Sequence, residues 1–442
     1  MQQFVRTSLL EKQNYLILLF WVALGIFTGP LAYLAVPLHM YLLKDKGEWL
    51  WLLLGFWLVL TLSDSRQAIF SFAVNLKTVL MLVLAFFYFT FNTKEEGYNF
   101  FKPFIAFFAV AFFALLDSPQ LFYAFQKTFS YLILLLVIPG VVYLLLRYER
   151  ERFLFNISLL GSLILATGVV LRFVMPDFVI FKGERFSGLL GNPNGLGIYS
   201  FVFLMLFTYI IAFHRGLFKN WQKIIVYALI GISLVLGGSR GGIFSSLLFV
   251  LGWFLIRRDA LLGFITMVVV FVSYQLVMVN FVEIVTSLGW QDYFRLETLE
   301  SGSGRVVAAE VAWKHIQDNY WLSKGFTYNE VILAQYQDYF VQHGHQGNVH
   351  NSWLTMWLDT GLIGLILFSI GWLVNFYRAA KYTSMVWAAL FGLLLSISVE
   401  SWLTASLNPF TIILVIILSM LANPYFYPQV NNSQSTDIVP QQ

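Results

Sequence analysis

The chain has 442 residues, of which 59% are hydrophobic and only 11% are Asp, Glu, Lys or Arg. So few charges cannot cover a water-facing surface, for which about a quarter is usual, and so many apolar residues exclude a disordered chain. What remains is a polytopic membrane protein, and at about 20 apolar residues per crossing the length allows on the order of a dozen spans.

The net charge of +4 comes from 27 basic and 23 acidic residues that are not gathered into one patch. That is not the footprint of a nucleic-acid binder, so no nucleic-acid partner is expected. With no cysteine in the chain, disulfides, thiolate metal sites and cysteine nucleophiles are excluded.

In chain order, apolar runs fall at 15–27, 30–43, 49–63, 68–91, 101–116, 121–146, 152–174, 188–213, 221–238, 241–257, 260–280, 353–377, 384–400 and 404–424. Polar residues 1–14 precede a run that further spans follow, so the first run is expected to be a membrane segment and not a cleaved signal. The first two runs, separated by Thr28-Gly29-Pro30, form either a tight hairpin or one broken helix. The expected fold class is therefore an all-α polytopic membrane protein of about 12–14 transmembrane helices. The runs are too long and too uniformly apolar for a barrel.

Threading these runs with the N-terminus inside puts sixteen of the 27 basic residues in inward loops or at the N-terminus. Among them are Arg147, Arg150, Arg152, Arg215, Lys219, Lys223, Arg257, Arg258, Arg378 and Lys381. The positive-inside rule supports that frame. The expected organisation is an N-terminal bundle at 1–280 with 10–11 spans, an extracytoplasmic loop at 281–352, C-terminal helices at 353–428 and a disordered tail at 429–442. Loops as long as 281–352 are uncommon without a function. Within it, residues 306–318 have helical spacing, with Val307, Val311 and Lys314 on one face.

Charges held at membrane depth are functional candidates, because burial without a partner is costly. Arg185 precedes Gly191-Asn192-Pro193-Asn194-Gly195. Arg240 sits in Gly237-Gly238-Ser239-Arg240-Gly241-Gly242, between two spans with almost no loop. Arg305 precedes the helical stretch of the long loop, and His350 lies where that loop re-enters the membrane. All four fall on the outer side of the frame. Taken singly, each has a plain structural reading: snorkelling to headgroups, an internal ion pair, a turn, a structural histidine. Taken together, three arginines and a histidine suit a diphosphate ester and a proton acceptor. Arginine forks grip phosphate oxygens, and neutral His takes a proton near pH 7. No Asp-x-Asp pair or His-Glu-x-x-His motif points to a metal, although His343 and His345 lie near His350. Lys77, Lys127, Arg172 and Glu400 lie at or near outer span ends. Lys127 and Arg172 either extend the channel for such an ester or pair with Asp117, Asp177 or Glu400 to hold the bundle together, and the structural reading is favoured.

The chain resembles the O-antigen ligase and polymerase superfamily of bacterial envelope glycosyltransferases. The resemblance lies in RFSGLLGNPNGLG (185–197), GGSRGG (237–242), SGRVVAAEVAWKHIQDNYWLSKGF (303–326) and VHNSWLTMWLDTGLIGLILF (349–368), in that order, and covers about the C-terminal half. It implies a GT-C-like bundle in the bacterial inner membrane, with its active site facing the periplasm. It further implies metal-independent, inverting transfer of a glycan from undecaprenyl diphosphate, with no cofactor. By the same resemblance, Arg240 and Arg305 hold the diphosphate, and His350 is the general base or orients the acceptor hydroxyl. Arg185 is a further donor-site cation, and Asn351 holds the His350 region or touches the acceptor. Asn194 and Ser239, in the same motifs, join the substrate-binding set. The acceptor is lipid A-core for a ligase, or another lipid-linked repeat for a polymerase. A protein hydroxyl as acceptor, transport of the lipid-linked glycan without transfer, and a non-enzymatic scaffold in envelope assembly are the remaining alternatives.

Overall fold

Within a bilayer every backbone N–H and C=O must find a partner inside the protein, and runs of Leu, Phe, Ile and Val satisfy that requirement as helices. The computed structural model describes residues 2–44, 48–91, 99–181, 185–279, 286–287, 289, 305–342 and 347–428. In chain order the helices begin with α1 (Gln2–Thr28), α2 (Ala32–Lys44), α3 (Trp49–Asp64), α4 (Ser71–Phe91), α5 (Ile105–Ala114), α6 (Leu121–Tyr148) and α7 (Arg150–Val174). A single turn, α8 (Pro176–Val179), leads to α9 (Pro193–Phe213), α10 (Asn220–Gly237), α11 (Arg240–Arg258) and α12 (Ala260–Val279). The loop that follows carries α13 (Arg305–Asp318), α14 (Tyr328–Gln335) and α15 (Gln337–Gln342). The chain closes with α16 (Ser352–Ala380), α17 (Val386–Val399) and α18 (Pro409–Leu421). Among the described residues the only sheet is a two-residue antiparallel pairing of Ile180–Phe181 with Arg185–Phe186.

Among the described residues, eight stretches are long and apolar enough to cross a membrane, counting Tyr15–Leu43 as one, and four shorter apolar helices accompany them. The chain is an all-α polytopic membrane protein. The first two apolar runs form a hairpin. Trp21 Nε1 donates to His39 Nδ1 at 2.7 Å, whereas 18 residues along one straight helix would separate them by about 27 Å. The chain reverses at Gly29, whose φ is +53°.

The core is built on α18, every residue of which is buried, with α3 and α9 nearly as enclosed. Small residues let α11 and α17 approach closely: a Cβ on Gly252 would meet Ala388 at 3.2 Å. Such close contact is how helices associate where lipid offers no hydrophobic contrast.

One helix is broken on purpose. In α16, Gly361 adopts φ +74° and ψ 176°, outside helical geometry. The freed Leu362 and Ile363 N–H groups donate to the carbonyls of Tyr320 and Trp321, at 2.9 and 3.2 Å. The Asp359 carbonyl accepts from Gly325 N at 2.8 Å, and the Leu358 carbonyl accepts from Ser323 Oγ at 2.6 Å. Buried Asp359 takes the backbone N–H of Asn329 at 2.8 Å and its side-chain amide at 2.8 and 2.7 Å. The loop is thereby stitched into the opened helix. Lys127 on α6 adds an ion pair to Glu330 on α14.

The helix expected over 306–318 is present as α13, with Val307 and Val311 partly buried against its inner cluster. Ala308, Ala312 and Ile316 are fully buried, whereas Lys314 is exposed. A stripe at four-residue spacing with two alanines packs closer than one ending in a lysine. The tail at 429–442, His343, His345 and most of 280–304 lie outside the described residues.

Candidate functional site

A polar cleft of about 430 Å³ opens at the end of the bundle where α3, α17 and the loop 347–350 finish and α9, α16 and α18 begin. Asp64, Arg66, Arg185, Asn194, His350, Glu400 and Asn408 are among its lining residues. Three helices start here, each capped by an asparagine. Asn192 accepts from Gly195 N at 2.7 Å. Asn351 accepts from Trp353 and Leu354 N at 2.9 and 3.1 Å. Asn408 accepts from Phe410 and Thr411 N at 2.9 and 2.7 Å. Each start carries the positive end of its helix dipole, so the cleft favours anions before any arginine is counted.

His350 is held at the centre of this arrangement. Its backbone takes a left-handed φ of +48°, which is rare for a residue with a side chain. Its Nδ1 faces Glu400 Oε2 at 2.9 Å, and Glu400 Oε1 accepts from the Asn194 amide at 2.8 Å. Both members of the pair are mostly enclosed, with side-chain exposures of 23% and 14%. With Nδ1–H given to the carboxylate, the ring's lone pair lies on Nε2. The carboxylate also stabilises an imidazolium, as in any histidine base oriented by an acid.

The other sequence-derived candidates separate into two groups. Arg185 lines the cleft, and its Nε and Nη2 donate to Gly237 O at 3.1 and 2.8 Å and its Nη2 to Gly238 O at 2.9 Å. It thus holds the carbonyl end of α10, where Gly238 turns the chain at φ +55°. Asn194 lies in the cleft through its bond to Glu400. Ser239 is buried and caps α11 by accepting from Gly242 N at 3.3 Å. Asn351 caps α16 and donates to Ser398 O at 3.1 Å, tying the His350 loop to α17. Arg240 is exposed at the first turn of α11, beside the cleft and outside its lining. Its neighbour Gly241 packs on Val399, the residue before Glu400, where an added Cβ would meet Val399 Cγ2 at 2.8 Å. The backbone of Arg305 begins α13, and its side chain lies outside the described residues.

Of the four other charges, Lys127 and Arg172 contact groups other than the carboxylates expected for them. Lys127 pairs with Glu330. Arg172 lies over the Phe186 ring at 5.6 Å. Lys77 donates to Leu407 O at 3.4 Å. Glu400 belongs to the cleft. Two further cleft residues, Asp64 and Arg66, escaped notice because they sit in a short turn between apolar runs. Their signal was available: in the charge-derived frame that turn falls on the same side as His350. Asp64 Oδ2 is buried and meets no hydrogen-bond partner among the described residues. Among the same residues, no three His, Asp or Glu side chains gather as a metal site.

A multi-pass helical membrane protein with an anion-favouring cleft and an acid-oriented histidine at one end is the class these features define. Residues 225–369 match the family model described as O-antigen ligase. The match covers about a third of the chain, runs from α10 into α16 and includes three of the four motifs. No curated protein shows a significant match.

Proposed function

We propose that this protein transfers a glycan from undecaprenyl diphosphate to an acceptor hydroxyl, with lipid A-core as the acceptor. The observation that carries the reading is the His350–Glu400 pair, at 2.9 Å, inside a cleft edged by arginines and helix starts. His350 Nε2 removes the proton from the acceptor hydroxyl as its oxygen attacks the anomeric carbon. Attack comes from the face opposite the diphosphate, so the bond to the leaving oxygen breaks with inversion. Glu400 holds the imidazole in the reactive tautomer and stabilises its charge as the proton arrives.

The leaving group is a diphosphate whose charge must be balanced as it departs. Arg240, Arg305 and the first turn of α9 supply that positive field, and Arg185 adds to it while bracing α10. Asn194 sits between Glu400 and the donor side, and Ser239 and Asn351 keep the two site loops in register. The bundle is taken to lie in the bacterial inner membrane with the cleft toward the periplasm. In support, Arg147, Arg150, Arg152, Arg215, Lys219, Lys223, Arg378 and Lys381 all lie at helix ends away from the cleft, as the positive-inside rule requires.

Reconstitution with a labelled undecaprenyl diphosphate glycan tests the reading. Release of undecaprenyl diphosphate is expected with lipid A-core present and without added divalent metal. Product growth on a second lipid-linked repeat, with lipid A-core ignored, would reassign the acceptor to a polymerase. Absence of release with every acceptor would remove the proposal, and abolition by EDTA would remove its metal-free form.

A further inference from the structure

Beside the polar cleft lies a second cavity of about 500 Å³ between α1, α3 and α7, walled almost wholly by apolar side chains. Leu18, Leu62, Phe70, Leu163, Phe178 and Leu189 line it. Along α7 it runs from Leu160 to Leu171, roughly 16 Å at 1.5 Å per residue. That is about half of a 30 Å hydrocarbon core, the depth of one leaflet.

The two cavities share their walls. Leu62 faces the apolar groove, while Asp64 and Arg66, a few residues on, face the polar cleft. Leu189 and Asn192 divide in the same way. The partition between them is therefore the 62–70 turn, and its geometry is tightly set. Arg66 holds a left-handed φ of +58°, a conformation rare for a residue with a side chain. Gly191 packs against it so closely that a Cβ there would sit 2.3 Å from Asp64 O. Gln67 Nε2 donates to Phe178 O at 2.7 Å, and the Phe70 and Phe178 rings meet edge to face at 5.9 Å. The exposed Arg66 side chain thereby lines the cleft side of the partition.

We propose that this groove receives the isoprenoid tail of the lipid diphosphate donor, with Arg66 gripping the diphosphate as it crosses from groove to cleft. The inference rests on the transferase reading for the identity of the donor. The occupant follows from the arrangement itself: an anionic head and a long apolar tail, joined within the width of one turn. It also assigns the side of access, between the N-terminal helices α1, α3 and α7.

Photo-crosslinking with an undecaprenyl diphosphate carrying a diazirine in its tail tests the groove without requiring transfer. Adducts are expected on α1, α3 and α7, competed by unlabelled undecaprenyl diphosphate and not by excess phosphatidylglycerol. Adducts elsewhere, or competition by phosphatidylglycerol, would overturn the assignment. In the transfer assay, Leu163→Trp should narrow the preference for a long-chain over a ten-carbon donor by about tenfold, the worth of roughly two buried methylenes. An unchanged preference would count equally against the groove. Adducts on the three helices from a protein that transfers nothing would sink the transferase reading and leave the groove standing.

Discussion

Arginines gather at both ends of this bundle, and the two ends use them differently. At the basic end, Arg152 pairs with Glu149 at 2.7 Å and Glu48 at 3.3 Å and lies over the Trp51 ring. Arg150 donates to the carbonyls of Tyr425 and Tyr427 at 3.2 and 3.1 Å. Carboxylates and carbonyls there absorb the positive charge, and the arginines fasten α7 to the end of the chain. At the cleft, the cations stand among helix starts, whose own partial charges are positive. The carboxylate nearest the centre, Glu400, is committed to His350 and Asn194. Arg185 is also partly spent on carbonyls and Asp64 lines the cleft, so the three helix starts are what set this end apart, and the proposed anion binding rests on them together with Arg66 and Arg240.

The largest effect that separates the ends is expected from His350→Ala. Loss of a general base lowers the transfer rate by about 10²–10⁴-fold, while capture of undecaprenyl diphosphate persists because the cations remain. Rapid transfer by this variant would remove His350 from the chemistry. Glu400→Gln should follow with a loss of about 10–100-fold. An amide can still hydrogen-bond the ring but cannot stabilise the imidazolium, so the defect should fall on kcat more than on KM. A pure KM effect would reduce Glu400 to a scaffold for Asn194.

A third prediction concerns the loop that brings His350 to the cleft. Gly361→Ala would place a Cβ 2.4 Å from Trp321 O at a positive φ, which should destabilise the folded protein by about 2 kcal/mol. Asn329→Ala strips the buried Asp359 carboxylate of two of its three hydrogen bonds, leaving the backbone one, and should cost about 1–3 kcal/mol. Thermal unfolding in detergent measures both. Arg152→Ala, at the basic end, removes two partly enclosed ion pairs and should cost about 1–3 kcal/mol while leaving transfer unchanged. Comparable losses of transfer at the two ends would erase the distinction between them.

Much of this was legible in the sequence, and the reasons are physical. Hydropathy marks spans because the bilayer leaves the backbone no other choice. Charge bias orients them, and that alone carried Arg185, Arg240 and His350 to one side. What stayed hidden was the identity of partners. Glu400 ends an apolar run after Val399 and reads as an interfacial charge; only the fold brings it to His350, 50 residues away in sequence. Arg66 gives no local signal because its significance lies in a strained backbone angle and in what stands on either side of it. The break at Gly361 is equally silent. Glycine in a span usually serves packing, and the loop backbone that replaces the missing helical bonds comes from residues 320–325. The reversal at Gly29 was an open alternative until Trp21 and His39 met.

The smallest expected effect belongs to the basic end and turns on pH. His214, just past the end of α9, lies against the Phe426 carbonyl, with Nε2 at 2.6 Å. Burial pushes its imidazole below the ordinary value near 6.5, an effect the carbonyl contact only partly offsets. Docked, this histidine therefore binds fewer protons than when the segment 424–428 is detached. By linkage, docking is fully favoured above about pH 6.5 and weakens as the pH falls through that value toward the depressed one. Hydrogen exchange in residues 424–428 should accordingly quicken between about pH 7.5 and pH 5.5, and His214→Gln should flatten that dependence. Transfer by His214→Gln should keep the pH profile of the unaltered protein, because the residue lies at the opposite end from His350. A shared change in both profiles would mean that the two ends of the bundle are coupled.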